Sequence, residues 1–128
     1  MITITLQGRP LSVNHLWKRG VNRATGAPVT YMPVESKHQK EAWQILAKAQ
    51  FARERGMPFG KDVILSVSVR YFFENKMRRD IDNYLKATLD VLTGVVWLDD
   101  SQIWMLDVEK HIASDGDGPR TEIDIVEI

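Results

Sequence analysis

Residues 62–73, DVILSVSVRYFF, alternate apolar and polar side chains and are rich in β-branched and aromatic residues. A period of two with this composition predicts a β-strand that buries one face. The face predicted to be buried carries Val63, Leu65, Val67, Val69 and Tyr71. A basic tip follows the strand and leads into the next element; it reads Lys76-Met77-Arg78-Arg79.

Two helices are predicted on either side of this strand. In the first, apolar residues recur with a period close to 3.6 from Ser36, a predicted N-cap, to about Arg55. The second runs from about Asp82 to Thr93, and Gly94 suits its C-terminal end. Its apolar stripe consists of Tyr84, Leu85, Thr88, Leu89 and Leu92.

Three further strands and one irregular segment complete the predicted domain. Residues 2–7 alternate as a half-buried strand, and residues 8–34 read as a loop or irregular hairpin with a turn at residues 25–28. Residues 102–111 and 120–128 predict two strands, which the loop Ser114–Pro119 would join as a hairpin. The expected fold is therefore α+β: one small domain over residues 1–128, with a mixed sheet of about four strands, an additional hairpin and two main helices.

The composition excludes several classes of protein. The chain has 128 residues and no cysteine, which excludes disulfides, zinc–thiolate sites and cysteine nucleophiles. No apolar run approaches the ~20 residues of a membrane-spanning helix. The N-terminus lacks the basic start and apolar run of a signal peptide. We therefore expect a cytoplasmic protein with no membrane partner.

A net charge of zero hides a strong asymmetry between the two parts of the chain. Residues 1–79 carry 14 Lys/Arg and 5 Asp/Glu, a balance of +9, whereas residues 80–128 carry 3 and 12, a balance of −9. Such a division indicates two surfaces with different partners. It suits a protein that grips phosphates with one part and holds a metal ion with another.

Acidic residues cluster at the start of the second predicted helix and again beyond its end. Asp80 and Asp82 point to the same side only if the chain enters the helix in an extended conformation. Fully extended, the five residues between this helix and Asp99 reach ~17 Å, about the length of the helix, so Asp99 or Asp100 could return to the first pair. Three carboxylates without cysteine suit a hard divalent cation, Mg²⁺ or Mn²⁺. Lys86, four residues after Asp82, would lie on the same helix face, within reach of a bound phosphate.

Each of these residues also has a purely structural interpretation. Asp80 or Asp82 could be a helix N-cap, and the Asp99-Asp100-Ser101 segment could be a solvated turn. Lys86 could form a surface ion pair with Asp82 or Asp90. The Arg78-Arg79 pair could be a solvated strand end. The D-x-D spacing alone does not decide between these readings.

A longer pattern resembles a known family. The stretch Arg78-Arg79-Asp80-Ile81-Asp82-Asn83-Tyr84-Leu85-Lys86-Ala87, continued by Leu89-Asp90, Leu92-Thr93 and Trp97-Leu98-Asp99-Asp100-Ser101-Gln102, resembles the signature of the RusA-type Holliday-junction resolvases. Residues 10–14 also resemble an early turn of that family. The dense match over about 25 residues is far more specific than D-x-D and favours the metal-site interpretation.

The resemblance implies a small homodimeric endonuclease that cuts four-way DNA junctions symmetrically in recombination and repair, commonly phage- or prophage-encoded. It implies Mg²⁺ as cofactor, with Mn²⁺ as a substitute. The metal ligands it implies are Asp80, Asp82 and Asp100. It makes Lys86 the essential lysine, and we expect Asp99 to support this site structurally.

Basic and polar residues outside this cluster are predicted to contact branched DNA. These residues are Asn14, Lys18, Arg19, Arg23, Lys76, Arg78 and Arg79. Contacts of this kind position DNA without reading its sequence and weaken with salt. Trp17 is more readily interpreted as a core residue than as a ring that stacks on exposed bases. The three histidines show no metal-ligand spacing.

The sequence is also compatible with other functions. The chain could be a general branched-DNA or flap endonuclease, a non-catalytic junction-binding protein, or a small-molecule phosphohydrolase. A two-fold dimer would match a symmetric junction. The dimer face is not determined by the sequence: Trp43 and Phe51 on the first helix, or Trp104 and Leu106 on a strand, could lie there or in the core.

Overall fold

The computed structural model describes all 128 residues, apart from the side chain of His15. The elements follow in the order β1 (Ile2–Gln7), α1 (Val13–Leu16), β2 (Lys18–Val21), β3 (Pro28–Tyr31), α2 (Val34–Glu54), β4 (Leu65–Phe73), α3 (Ile81–Leu92), β5 (Ile103–Ile112) and β6 (Arg120–Glu127). A single 3-10 turn, Asp100–Gln102, precedes β5. None of the helices in the described part of the chain has the length and apolar character that crossing a membrane requires.

The strands form two separate sheets. The main sheet has the order β1-β6-β4-β5, in which β6 is antiparallel to both β1 and β4, and β5 is parallel to β4. Strands β2 and β3 pair only with each other, as an antiparallel hairpin. The predicted α+β class is therefore confirmed, with a mixed four-stranded sheet, an additional hairpin and two main helices.

Strand β4 lies inside the sheet and provides its buried centre. Every second residue from Leu65 to Phe73 is buried, as the alternation in the sequence predicted, although the strand starts three residues later than expected. Helices α2 and α3 cover this face, with Trp43, Phe51, Val91 and Leu92 in the core. Fully burying an apolar side chain of this size contributes about 1.5–3 kcal/mol, so the alternating face holds the helices to the sheet.

Contacts between α3 and β4 show that the helix runs back along the strand. The Tyr84 ring lies 5.1 Å from the Phe73 ring, centroid to centroid. One turn further along the helix, Thr88 Oγ1 lies 2.7 Å from Tyr71 Oη, and burial raises the pKa of Tyr71. The start of α3 therefore lies beside the end of β4, and the end of α3 lies toward the start of β4.

The predicted hairpin between the last two strands is wrong. Strand β4 lies between β5 and β6 in the sheet, and the loop that joins them crosses the end of β4, where the Ala113 N–H donates to the Phe73 carbonyl at 2.8 Å. Helix α3 connects β4 to β5 and returns the chain to the end of the sheet where β4 begins. For that reason β5 pairs parallel to β4. Strand β6 fills the other side of β4.

The N-terminal segment contains both confirmed and wrong predictions. The irregular hairpin is present as β2 and β3, while the short helix α1 was not predicted. The predicted N-cap Ser36 is wrong: α2 begins at Val34 after Pro33, whose fixed φ suits a helix entry, and Ser36 is buried in the first turn. The helix ends at Glu54, one residue before the prediction.

The tryptophans and their neighbours lie in contrasting environments. Trp17 is 41% exposed, so its interpretation as a core residue is wrong. Trp43 and Phe51 are buried beneath α2 and are not available to a partner, whereas Trp104 is 71% and Leu106 42% exposed. Both exposed residues belong to β5, one of the two edge strands of the main sheet. Trp104 lies at a register shift between β4 and β5, which leaves it outside the regular pairing.

Candidate active site

Asp80 occupies the N-cap position of α3 but does not cap the helix. Its backbone is extended, at φ −83° and ψ 114°, and its carboxylate makes no capping hydrogen bond. The side chain is 58% exposed, and its closest cation is the Arg78 Nε at 3.9 Å. The extended entry that a shared site requires is thus present at this residue. The carboxylate is open to a ligand from solvent.

Asp82 and Lys86 follow on one face of α3. Asp82 lies in the first turn of the helix, and both side chains are exposed. Among the described side chains, Lys86 forms no ion pair with Asp82 or Asp90, so the surface-pair interpretation has no support. A four-residue step places the ammonium group on the same helix face as the Asp82 carboxylate.

The loop before Asp80 is organised by Arg79. Its Nη1 donates to the carbonyls of Asn75 and Met77, and its Nη2 donates to Asn75 Oδ1 at 3.0 Å. The guanidinium also lies 4.4 Å above the centre of the Phe73 ring. On the β5 side, Lys110 Nζ donates to the Arg79 carbonyl at 3.0 Å. Arg79 therefore holds the chain that leads into Asp80, and only part of its guanidinium remains available for DNA.

The second acidic pair is built into a closed turn. Asp99 is the N-cap of the 3-10 turn and accepts a hydrogen bond from the Ser101 N–H at 3.0 Å, while the Gln102 side chain accepts from the Asp99 N–H. The hydrogen bond from the Ser101 backbone lowers the pKa of Asp99. Asp100 is exposed at the first position of the same turn. This supports the assignment of a structural role to Asp99.

Gln102 is the last residue of the signature stretch, and no role was predicted for it from the sequence. Its buried side chain accepts hydrogen bonds from the N–H groups of Leu98 and Asp99. Its amide group donates to the carbonyls of Phe59, Gly60 and Val63. One side chain thus ties the Asp99–Asp100 turn to the chain before β4. A glutamine three residues after an N-cap aspartate fits the capping-box pattern, and this spacing was the available signal.

Within one protomer, Asp100 lies at the opposite end of α3 from Asp80 and Asp82. The twelve residues of the helix span about 18 Å. The segment after it does not extend back, because the Gly94 N–H donates to the Trp97 carbonyl and Trp97 Nε1 donates to Thr93 Oγ1. Across the described residues, no three His, Asp or Glu side chains form a group that could hold a metal ion. The return that chain length permits is not made within the protomer.

The predicted DNA contacts fall into two groups. Lys18, Arg19 and Arg23 are exposed on the β2–β3 hairpin, and Lys76 and Arg78 are exposed on the loop before Asp80. Asn14, on α1, lines a cleft of about 200 Å³ that also contains Asp80 and Asn83. A larger cleft of about 380 Å³ has Arg9, Arg78 and Arg79 in its wall. Basic side chains therefore surround the entry to α3.

The family model described as endodeoxyribonuclease RusA matches residues 8–126 of the chain. The chain belongs to the RusA endodeoxyribonuclease family. Both main helices, strands β4 and β5 and the two acidic pairs lie within the match. Strand β1 precedes it, and β6 lies within it except for Glu127. Membership confirms the resemblance and makes the protein an endodeoxyribonuclease of a family that acts on Holliday junctions. A comparison with curated proteins gives no match.

Proposed function

We propose that this RusA-family protein resolves four-way DNA junctions by metal-dependent, paired and symmetric phosphodiester hydrolysis in recombination and repair. The observation that carries the proposal is the exposed Asp80 carboxylate, which makes no capping bond at the start of α3 and only a loose contact with Arg78, with Asp82 and Lys86 following on the helix. An N-cap aspartate normally uses its side chain on the helix. Leaving that carboxylate exposed on a basic surface suits a ligand-binding role.

The three carboxylates can bind one hard divalent cation only if they come from two protomers. Asp80 and Asp82 supply oxygen donors of the type that Mg²⁺ and Mn²⁺ take. A single protomer supplies only this pair, because Asp100 lies at the far end of α3. We therefore assign the metal to Asp80 and Asp82 of one protomer together with the partner's Asp100. When bound there, the cation would act as a Lewis acid and lower the pKa of water.

A two-fold dimer provides this arrangement through the edge strand β5. Asp100 precedes the start of β5, and the Asp80 end of α3 lies beside its far end, near Lys110. Two antiparallel β5 strands would therefore bring the Asp100 end of one protomer toward the Asp80 end of the other. The exposed apolar side chains of Trp104 and Leu106 would be covered in such a dimer. Two sites would form, which is the number that two symmetric nicks require.

The remaining groups at the entry to α3 act on the phosphate. The Asn83 N–H donates to the Asp80 carbonyl, but the Asp80 side chain caps no N–H group, so the N–H groups of Ile81 and Asp82 can attract an anion. The Lys86 ammonium group would neutralise charge that develops on the phosphate. Lys76 and Arg78 would hold the flanking backbone. Asp80 and Asp82 would orient the water that attacks.

Cleavage of a labelled synthetic four-way junction tests the proposal. We expect paired symmetric nicks in Mg²⁺, no cleavage of a linear duplex, and loss of nicking with retained junction binding in Asp82→Asn. Binding without cleavage in both Mg²⁺ and Mn²⁺ would identify a non-catalytic junction-binding protein. Equal cleavage of a flap substrate would indicate a general branched-DNA endonuclease.

Mixed dimers test whether the site is shared between protomers. Asp82→Asn and Asp100→Asn protomers, carrying different tags, are co-expressed and the mixed dimer is isolated. In a shared site, one of the two sites of the mixed dimer is wild-type and the other carries both changes, so single nicks return. The two parent homodimers serve as inactive controls. If each site lies within one protomer, the mixed dimer stays inactive.

A further inference from the structure

The β2–β3 hairpin is not part of the main sheet. We call residues 18–31 the arm; it consists of two four-residue strands and the turn between them. Its strands pair with each other and not with the main sheet, and every residue from Val21 to Tyr31 is exposed. An isolated two-stranded hairpin is marginally stable in water. A binding partner would stabilise it.

All charged residues of the arm are basic. It carries Lys18, Arg19 and Arg23, and the first acidic residue of the whole chain is Glu35. Two such arms related by a two-fold axis would repel each other, so the arm is unsuited to pairing with its own copy. A polyanion is the complementary partner.

Two exposed aromatic rings accompany this charge. Trp17, immediately before the arm, is 41% exposed, and Tyr31, its last residue, is 48% exposed. Tyr31 pairs with Lys18, and its ring lies across Gly20: a Cβ added there would be 2.9 Å from Tyr31 Cε1. The missing side chain at Gly20 lets the ring lie over the backbone. Aromatic rings held beside cations suit stacking on nucleobases.

The base of the arm adjoins the candidate active site. Helix α1 leads directly into the arm, and Ser12 and Asn14 line the cleft that contains Asp80 and Asn83. DNA whose phosphate lies at Asp80 would therefore pass close to Trp17. Bases in a continuous duplex are already stacked, so exposed rings have unstacked bases to bind only where strands separate.

We propose that the arm recognises the branch point of the DNA, where Trp17 and Tyr31 stack on unpaired bases and Lys18, Arg19 and Arg23 contact the flanking phosphates. This inference rests on the proposed function for its substrate. It makes the arm the part of the protein that distinguishes a junction from a duplex. Stacking changes affinity by about fivefold to a hundredfold for each base bound.

Equilibrium binding in EDTA, with a synthetic four-way junction and a linear duplex of the same arm sequence, tests this role. We expect the double variant Trp17→Ala/Tyr31→Ala to bind the junction at least tenfold more weakly and the duplex within about twofold of wild type. The matched control Trp17→Phe/Tyr31→Phe keeps both rings and should retain junction selectivity. Gly20→Ala, which displaces the Tyr31 ring without removing it, should give an intermediate loss.

Charge variants and a base probe separate stacking from phosphate contact. Arg19→Gln/Arg23→Gln should weaken binding to both DNAs and reduce the salt dependence. Placed at the branch point, 2-aminopurine should change its emission with wild type and not with the double alanine variant. Equal losses on junction and duplex would overturn the inference, and so would a double alanine variant that changes the 2-aminopurine emission as much as wild type does. So would a change in the mass of the alanine variant in solution, because the arm would then belong to an interface between copies.

These measurements need no cleavage. A wild-type protein that binds junctions selectively through the arm but makes no nick would contradict the proposed function alone. Urea midpoints of the arm variants, compared with wild type, show that the main domain is intact.

Discussion

Asp80 and Asp99 occupy the same position, the N-cap of a helical segment, and the chain uses them in opposite ways. The Asp99 carboxylate accepts a hydrogen bond within its own turn, and Gln102 closes the turn from the other side. The Asp80 carboxylate makes no capping bond, although α3 is four times as long as the 3-10 turn. A helix entry that leaves its capping group unused gives up stability and keeps a charge available.

The comparison separates aspartates that maintain the fold from aspartates that are available for chemistry. It also distinguishes Asp99 from its neighbour Asp100, which is exposed and takes no part in the cap. Adjacent identical residues in the sequence can therefore have different roles. Substitution of Asp99 should therefore change stability, whereas substitution of Asp80 should change cleavage.

Asp80→Asn should produce the largest effect, and in cleavage alone. In the proposed mechanism Asp80 coordinates the metal ion, so losing its charge would remove several kcal/mol of transition-state stabilisation, and we expect the single-turnover rate to fall by at least about a hundredfold. The free energy of unfolding should change by less than about 0.5 kcal/mol, because no capping bond is lost. An Asp80→Asn variant that keeps its cleavage rate, or that unfolds much more easily than wild type, would contradict the view that Asp80 serves cleavage and not the stability of the fold.

Gln102→Leu should have the largest effect on folding. Five backbone groups lose their side-chain partner in a buried position, which we expect to cost about 2–4 kcal/mol in the free energy of unfolding. Gln102→Glu is the matched control for shape, since it keeps an acceptor for two N–H groups and loses the donor to three carbonyls. Urea unfolding measures both variants. Wild-type stability in Gln102→Leu would show that the turn does not depend on this residue.

Asp99→Ala should lower the melting temperature by roughly 3–6 °C, whereas Asp99→Asn, which can still cap, should stay near wild type. The pKa of Asp99 is lowered in the folded state, so its stabilisation is present above the unfolded pKa near 4 and is lost as the pH falls through the folded value. Wild type should therefore lose stability relative to Asp99→Asn below about pH 4. Melting curves between pH 7 and pH 3 would show parallel behaviour if the carboxylate were not used.

Arg78→Gln should give the smallest effect. Its side chain is 93% exposed and its contact with Asp80 is loose, so removal should leave the fold unchanged and reduce the slope of log affinity against log salt by about 1. Arg79→Gln should weaken junction binding more, because that side chain also holds the loop before Asp80. Equal effects of the two substitutions would show that Arg79 acts as a phosphate contact only.

Local patterns predicted most of the elements. The apolar residues alternate from Leu65 to Phe73 with the period of a strand, and those of α3 recur with the period of a helix. A buried face with such a period can be recognised from the sequence. Ser36 was wrongly predicted as a cap because Pro33 starts the helix earlier. Trp17 was wrongly predicted as a core residue because composition does not show whether a ring meets the core or solvent.

The contacts between segments that are far apart in the chain could not be predicted from such local patterns. The parallel position of β5, and therefore the absence of a β5–β6 hairpin, depends on where α3 returns the chain. Likewise, chain length allowed Asp100 to reach Asp80, but hydrogen bonds within the turn from Gly94 to Trp97 keep it at the far end of α3. Both outcomes depend on packing between distant segments.

By itself, the amino-acid sequence determined the identities and spacing of Asp80, Asp82, Lys86 and Asp100, the periods of the two main helices and of β4, and the division of charge. These are local properties, set by the order of residues along a chain with fixed geometry. Only the tertiary structure decided which N-cap aspartate caps its helix and which does not, and that the second acidic pair stays at the far end of α3 instead of returning to Asp80. Those outcomes depend on hydrogen bonds and buried contacts that form only when the sheet and its helices pack together.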